Sequence, residues 1–118
     1  MSQGPLRPQP FPGLPRKRGE TMSVMVTVEW PAKSKTLSEF LDVLKQALVD
    51  TRAYDGCENV QTYVEKSTGS VLLVEVWATE EHRQAYLKWR METGLRDAMA
   101  GYLDGAPIAR IFQIKSDV

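Results

Sequence analysis

The chain has 118 residues, with 15 lysine and arginine residues against 15 aspartate and glutamate residues, one histidine and one cysteine. That length fits one domain, and a formal net charge of zero argues against a nucleic-acid partner, because such proteins normally carry a basic stripe to meet phosphates. A single cysteine forms no internal disulfide, so we expect a cytoplasmic protein, and since no apolar run reaches the roughly 18 residues of a membrane span we expect no membrane partner.

Charge and proline are unevenly distributed along the chain. Residues 1–21 hold five of the seven prolines, four basic residues and one acidic residue, a net charge of +3, while the other 97 residues carry a net charge of −3. The few apolar residues of this segment bury too little surface to offset the entropy lost on ordering. We therefore expect residues 1–21 to be a disordered or loosely docked leader and residues 22–118 to form the folded domain.

The first two predicted elements are a strand and an amphipathic helix. Residues 23–30 alternate between two faces, which predicts a strand that Pro31 ends. Thr36 and Glu39 form a capping-box pattern, in which a hydroxyl oxygen and a carboxylate satisfy the first unpaired amides of a helix. Behind them, apolar residues with helical spacing predict one buried face, made of Leu37, Phe40, Leu41, Leu44, Ala47 and Leu48.

A predicted hairpin and two further helices follow. A turn at Gly56 leads into strands at residues 57–65 and 71–78. Thr79 then caps a second helix that runs to about residue 93, and a short third helix follows Gly94. We expect the second helix to present one face made of His82, Ala85, Tyr86 and Trp89.

Residues 107–114 predict the last strand. The order of elements is the split βαβ pattern, so we expect an α+β fold, a ferredoxin-like βαββαβ sandwich with an antiparallel sheet. In such a sandwich the helices cover one sheet face and the other face is normally polar, yet residues 71–78 are apolar on both faces. Because large exposed apolar patches usually mark interfaces, we expect a homodimer that forms through the open sheet face.

Four residues are candidates for a pocket between helices and sheet. Glu75 lies in the most apolar strand, where a carboxylate must be paired or neutral. It belongs either to a structural ion pair, for example with an arginine from a helix, or to a pocket. Trp77 ends the same strand facing the helices, as a core residue or as pocket wall. Tyr86 and Trp89 lie on the helix face that covers this region and have the same two interpretations.

His82 is the only imidazole, so a Ser-His-Asp triad or a multi-histidine metal site is not expected. It lies in the first turn of the second helix, as a surface residue, a pocket rim or a proton-transfer group. Cys57 opens a strand with no activating base nearby in sequence, which favours a small buried residue over a nucleophile. The sequence also has no Gly-rich phosphate loop and no metal-ligand spacing. These residues predict a pocket but no particular reaction.

Three stretches carry a family pattern: TRAYDGC at residues 51–57, VLLVEVWATEE at 71–81 and YLKWR at 86–90. An arginine and a Gly-Cys turn precede the second strand, and a Glu-x-Trp strand end runs into an acidic helix start. This pattern resembles the antibiotic biosynthesis monooxygenase family. The resemblance covers about residues 23–114 and implies a dimeric ferredoxin-like fold with a pocket in each subunit.

The resemblance also implies a chemistry. Members of the family include monooxygenases that oxidise phenols, hydroquinones or polyketide intermediates with molecular oxygen and no cofactor, because the deprotonated, electron-rich substrate itself reduces oxygen. The protein then orients the ring and stabilises the phenolate. Trp77 matches the family's pocket tryptophan. Arg96 matches a pocket arginine of polyketide-oxidising members and suits a phenolate because it stays charged.

The chain departs from the family pattern at several of these positions. Polyketide-oxidising members carry an Asn four residues before the tryptophan and a Tyr six residues after it, where this chain has Leu73 and Arg83. Quinol-oxidising or isomerising members carry a His where this chain has Tyr86, and His82 lies one helical turn earlier. Haem-degrading relatives need that His and an Asn on the first strand. Both are missing, so haem breakdown is not expected.

The resemblance thus implies a cofactor-independent monooxygenase, without metal, acting on a small aromatic, hydroquinone or polyketide-like substrate. The alternative is a non-oxygenase of the same fold, either a small-ligand binding protein or an isomerase, which the missing Asn and His favour. The candidate catalytic residues are Trp77, Arg96 and His82. The expected substrate-binding residues are Trp77, Tyr86, Trp89, Glu75 and Arg96.

Overall fold

The structure is a computed structural model that describes residues 23–118. The expectation for the leader, residues 1–21, lies outside the described residues. The elements are β1 (Val24–Trp30), α1 (Leu37–Ala53), β2 (Cys57–Val64), β3 (Val71–Trp77), α2 (Glu80–Thr93), α3 (Leu95–Met99) and β4 (Ile108–Gln113), with short 3-10 helices at Ser34–Thr36 and Ala100–Tyr102.

The four strands form one antiparallel sheet in the order β2-β3-β1-β4. The two central strands, β1 and β3, are therefore joined through α1 and β2 rather than by a hairpin, which is the split βαβ connection that the order of elements predicts. β1, β2 and β3 each differ from their predicted bounds by one residue at one end, and β4 is one residue shorter at both ends. The α+β ferredoxin-like sandwich is confirmed.

The helices cover one face of the sheet and create the core there. On β3, Val71, Leu73, Glu75 and Trp77 point to this face and are all buried, which follows from the two-residue period of a strand. The facing side of α1 buries the apolar stripe that its helical spacing predicts. Its fully buried members are Phe40, Leu44 and Leu48, and Leu37, Leu41 and Ala47 are half-buried.

The opposite face of the sheet is apolar and open in the described chain. Leu72 on β3 lies between Glu29 of β1 and Tyr63 of β2, and Leu72 is 36% exposed. On β4, Ile108 and Phe112 point the same way and are 54% and 40% exposed. The open face of β3 is therefore apolar as the sequence predicts, and exposed apolar residues lie on β2 and β4 as well, with Glu29, Thr27 and Arg110 among them.

The start of α1 differs from the predicted capping box. The helix does begin after Thr36, but the Thr36 side chain makes no capping hydrogen bond, and among residues 23–118 its buried Oγ1 has no hydrogen-bond partner. The reason is the 3-10 helix that leads into α1. It places Thr36 at φ −116° and ψ 17° instead of the extended conformation of a normal cap, and the Thr36 amide donates to the Lys33 carbonyl.

The start of α2 follows the prediction. Thr79 has extended backbone angles, and its Oγ1 accepts a hydrogen bond of 3.0 Å from the His82 amide.

The His82 ring packs directly over Gly56 in the turn between α1 and β2, so that a Cβ atom on Gly56 would overlap the ring. Gly56 also has φ +90°, a conformation that favours glycine. Glycine is thus favoured at position 56 for two separate reasons, the contact with His82 and the positive φ.

Candidate functional site

A cavity of about 280 Å³ lies between the helix-covered face of the sheet and the three helices. Aliphatic side chains from α1, β1, β3 and α2 make most of its wall. Polar side chains line one part of it, and these are Thr51, Glu75, Arg83, Tyr86, Arg90 and Arg96. Among the lining residues, Met91, Arg96 and Ala109 are exposed whereas Glu75 and Arg83 are buried, so the cavity opens between α2, α3 and β4 and ends at β3.

Glu75 stands at the inner end of this cavity on β3. Its Oε1 accepts a hydrogen bond of 2.9 Å from the Trp77 indole nitrogen and lies 3.5 Å from Nε of Arg83, and both charged side chains are almost fully buried. The two interpretations of Glu75 from the sequence, a structural ion pair with a helix arginine and a residue of the pocket, therefore both describe it. A buried carboxylate is stable here because it has a cation and a donor beside it.

The helix α2 turns a partly different face to the sheet from the predicted one. The predicted face was His82, Ala85, Tyr86 and Trp89, but Ala85 is exposed and the residues that line the cavity are Arg83, Tyr86, Leu87, Arg90 and Met91. This set still has helical spacing. The predicted face is therefore right for Tyr86, which is buried, and for Trp89, which packs against the core, and wrong for Ala85. It also leaves out Arg83, which reaches Glu75, and Arg90, which reaches α1.

Arg90 joins α2 to α1 beside the cavity. Its Nη2 donates to the Ala47 carbonyl at 2.6 Å and to Thr51 Oγ1 at 2.9 Å, and its Nε donates to the Tyr86 hydroxyl at 2.8 Å. The Tyr86 hydroxyl lies 2.7 Å from Thr51 Oγ1, which donates in turn to Ala47. Because Tyr86 accepts from Arg90, it is left to donate to Thr51. The network fixes the Tyr86 ring at the cavity wall.

Behind Tyr86 lies an aromatic cluster, which contains Trp77, Tyr54 and Trp89. The ring centroids of Trp77 and Tyr86 are 5.0 Å apart, and Tyr54 packs against Trp89 at 5.4 Å. Trp77 is fully buried, and the guanidinium of Arg90 lies 4.6 Å from the Trp89 ring. Trp77 and Trp89 support the cavity from behind rather than line it.

The remaining candidates, Arg96 and His82, lie apart from each other. Arg96, on α3, is exposed and lines the cavity at its open side. His82 does not line the cavity. Its Nδ1 lies 2.7 Å from Thr79 Oγ1, and its Nε2 lies 3.6 Å from Asp55 at the α1–β2 turn. The cavity thus brings together Glu75, Tyr86 and Arg96 from the predicted site.

Three positions at which the sequence departs from the family pattern line this one cavity: Leu73, Arg83 and Tyr86. In the sequence, Arg83 stands out only as a departure, and the predicted site includes neither Thr51 nor Arg90. A signal for both arginines was present, since Arg83 and Arg90 are two helical turns apart with Leu87 between them, and a buried Glu75 requires a cation. The cavity is therefore more cationic than the family pattern implies.

Two kinds of feature are absent from the described part of the chain. Among residues 23–118, no group of three or more His, Cys, Asp or Glu side chains is placed to hold a metal ion. Within the same residues, no helix is long and apolar enough to cross a membrane.

Comparison with solved structures identifies the fold. A conserved protein from Methanosarcina mazei superposes with a TM-score of 0.73 at 18% identity, over 80% of this chain and 95% of the other. SnoaB, a cofactor-independent oxygenase from Streptomyces nogalater, gives a TM-score of 0.70 at 12% identity, over 80% and 95%. A Streptomyces coelicolor monooxygenase in complex with nanaomycin D gives 0.67 at 15% identity, over 79% and 88%.

Sequence comparison identifies the family. No curated protein sequence matches the chain. The family model for antibiotic biosynthesis monooxygenase matches residues 23–102, which run from β1 through α3 and include Glu75, Trp77, Tyr86 and Arg96. This match spans well over half of the chain. The chain therefore belongs to the antibiotic biosynthesis monooxygenase family.

Proposed function

We propose that the protein is a cofactor-independent monooxygenase that oxidises a small aromatic, hydroquinone or polyketide-like substrate with molecular oxygen in the cavity between sheet and helices. The observation that carries the proposal is the cavity itself, in a chain that belongs to this family. Its wall is mostly aliphatic and includes three arginines. Its volume of about 280 Å³ lies near the lower end of the roughly 300–1,000 Å³ of ligand pockets, so we expect a small substrate.

The proposed chemistry needs a substrate that supplies the electrons. A hydroquinone or an activated ring methylene reacts with O2 so that one oxygen atom enters the substrate as a carbonyl or hydroxyl oxygen. The other oxygen atom leaves as water, with the two hydrogens that the substrate loses. The protein orients the ring, excludes water and stabilises the negative charge of the deprotonated substrate.

Particular residues support these tasks. Arg96 lines the open side of the cavity with a permanent positive charge, so we propose that it stabilises the phenolate. Trp77 and Trp89 hold Tyr86 in place from behind, and Tyr86 is proposed to contact the ring of the substrate together with Glu75 at the inner end. His82 lies outside the cavity wall, so we propose no direct proton transfer by it.

We further propose that the working unit is a homodimer, formed through the open face of the sheet. Leu72, Ile108 and Phe112 on that face are 36–54% exposed in a single chain, and burying them would remove their apolar area from water. A cytoplasmic location is part of the same proposal. Its support is that the sequence contains one cysteine and therefore no internal disulfide, which fits a reducing compartment.

A specific observation favours a second candidate, a small-ligand binding protein or isomerase. Leu73, Arg83 and Tyr86 stand where oxygenases or quinol-converting members of the family carry Asn, Tyr and His, and all three line the cavity. The cavity therefore lacks side chains that family members use, while it keeps the shape of a ligand pocket. This candidate predicts ligand binding without consumption of oxygen.

Oxygen uptake with a panel of hydroquinones and anthrones separates the two. For the monooxygenase we expect uptake that requires the protein and falls at least tenfold in Arg96→Ala, whose exposed side chain can be removed without loss of the fold. Trp77→Phe removes the indole donor to Glu75 and should also lower the rate. Saturable binding of the same compounds without any uptake would support the second candidate and contradict the first.

A further inference from the structure

The cavity wall has buried hydrogen-bond donors without acceptors. Among residues 23–118, three buried side-chain polar atoms have no hydrogen-bond partner, and two of them are nitrogens of residues that line the cavity, Nε of Arg83 and Nε1 of Trp30. Both groups donate only and accept nothing. Buried polar groups are normally satisfied, so donors left over at one cavity indicate that an acceptor is supplied from outside the chain.

Arg83 is the stronger of these two observations. Its side chain is only 6% exposed, and its nearest carboxylate oxygen, on Glu75, lies 3.5 Å from Nε without forming a hydrogen bond. A guanidinium group carries five N–H donors. Within the described residues none of the five forms a hydrogen bond. Arg90, two helical turns further along α2, forms three hydrogen bonds with its own guanidinium nitrogens.

The charges of the wall point the same way. Among residues 23–118, the charged side chains that line the cavity are three arginines and one glutamate. Glu75 already shares its Oε1 between the Trp77 indole and Arg83. Arg83 is the buried one of the three arginines, so little water screens its charge, whereas Arg90 is half-buried and Arg96 is exposed at the open side. The wall thus carries unused donors and a net positive charge, with Glu75 as the carboxylate that faces them.

We propose that the ligand of this cavity carries a carboxylate, and that Arg83 binds this carboxylate at the inner end of the cavity. The planar guanidinium fork fits two carboxylate oxygens. The rest of the ligand lies along the aliphatic wall of Leu44, Leu87 and Met99. The proposal rests on the cavity being the ligand site of the proposed function, and it narrows the substrate to an aromatic acid.

The size of the cavity agrees with such a ligand. An apolar cavity of about 150 Å³ already binds benzene, and the cavity here has about 280 Å³. One or two rings with a carboxylate therefore fit. A phenol group on the same ring system would then contact Arg96 at the open side. The acid group and the reacting group of the ligand would thus bind to different arginines.

Calorimetric titration of the full chain without oxygen tests the proposal. The probes are benzoate and 1-naphthoate, each paired with its neutral amide of nearly the same shape. We expect at least one carboxylate to bind about tenfold more tightly than its amide, the difference that one charge-assisted hydrogen bond gives. Equal binding of acid and amide, or no binding of either acid at millimolar concentration, would overturn the proposal.

Variants of the buried pair assign the carboxylate contact. Arg83→Met should abolish the preference for the acid, and Arg96→Met, the matched control at the open side, should keep most of it. Because Arg83→Met leaves Glu75 buried without its cation, the double variant Glu75→Gln/Arg83→Met repeats the test without a buried charge. Glu75→Gln alone should bind the acid more tightly than the parent chain, since the competing carboxylate is gone.

The outcomes are distinct from those of the proposed monooxygenase. A preference that survives in the double variant, or that disappears in Arg96→Met instead, overturns the role of Arg83. A preference that depends on Arg83 supports this inference even when no compound of the oxygen panel is consumed. In that case the carboxylate site stands and the oxygenase proposal fails.

Discussion

Arg83 on α2 lies 3.5 Å from Glu75 on β3, measured between Nε and Oε1, and neither side chain is more than 6% exposed. Two charges at the inner end of an aliphatic cavity are costly to bury, and each is tolerated because the other is there. The pair also connects the helix layer to the sheet at the place where Trp77 donates to Glu75. Its stability effect can be measured separately from ligand binding.

Removal of one member of this pair should cost much more than removal of both. We expect Arg83→Met to lower the free energy of unfolding by about 3 kcal/mol or more, because Glu75 is left buried and unpaired. The double variant Glu75→Gln/Arg83→Met should recover most of this loss. Urea unfolding of the parent chain, of Glu75→Gln and Arg83→Met singly, and of the double variant gives the comparison, and additive losses from the two single changes would contradict the account.

Arg90 should act as a clamp between the two long helices. Arg90→Met removes three hydrogen bonds, to Ala47, Thr51 and Tyr86, and leaves their polar atoms beside an apolar wall. We expect a loss of about 2 kcal/mol or more in the free energy of unfolding. Lys88→Met, a change at an exposed position of the same helix, is the control and should stay within about 0.5 kcal/mol. Equal effects of the two changes would show that the clamp contributes nothing.

The turn at Gly56 should tolerate no side chain. Gly56→Ala places a Cβ atom at φ +90° and against the His82 ring, so both backbone strain and steric overlap act against it. The matched control is Gly94→Ala, which has φ +74° but open space around it. We expect about 1–2 kcal/mol for the control, from strain alone, and clearly more for Gly56→Ala. His82→Ala removes the ring but keeps the Cβ atom of residue 82, which also overlaps the added Cβ, so it should relieve the Gly56 variant only in part and leave the Gly94 variant unchanged. Thermal unfolding measures both effects.

Most elements of the fold follow from local patterns in the sequence. The alternation of β3, the helical spacing of α1 and the Thr79 cap are local patterns, and each produced the element that it predicts. The capping box at Thr36 failed because the sequence carries no clear sign of the 3-10 helix that precedes it. Strand order followed from the order of elements, since the split βαβ pattern has few ways to close a sheet.

The site was predicted less completely than the fold. Glu75, Tyr86 and Arg96 were identified and do line the cavity, but Arg83 and Arg90 were not recognised as wall residues. Arginine is normally a solvent-facing residue, and its burial here depends on Glu75 and on a carbonyl of α1, which are distant in sequence. The burial of a charged side chain is decided by partners that only the tertiary structure brings close.

The open sheet face should determine the oligomeric state. We expect the parent chain to be a dimer at micromolar concentration and the variant Leu72→Glu/Phe112→Glu to be a monomer, because two charges would be buried at the contact. Val49→Glu is the control, since Val49 is 61% exposed on α1 and lies away from that face. Light scattering measures all three. A parent chain that is monomeric would contradict the proposed dimer.

Incorporation of labelled oxygen tests the central proposal most directly. The full chain is incubated with a panel of hydroquinones, anthrones and hydroxylated aromatic acids under ¹⁸O₂, and in parallel without oxygen, and the products are read by mass spectrometry. The account predicts at least one product that gains a single ¹⁸O atom, that requires the protein, and that is strongly reduced in Arg96→Ala. If compounds bind in the cavity and all of them are recovered unchanged under oxygen, the proposal is contradicted.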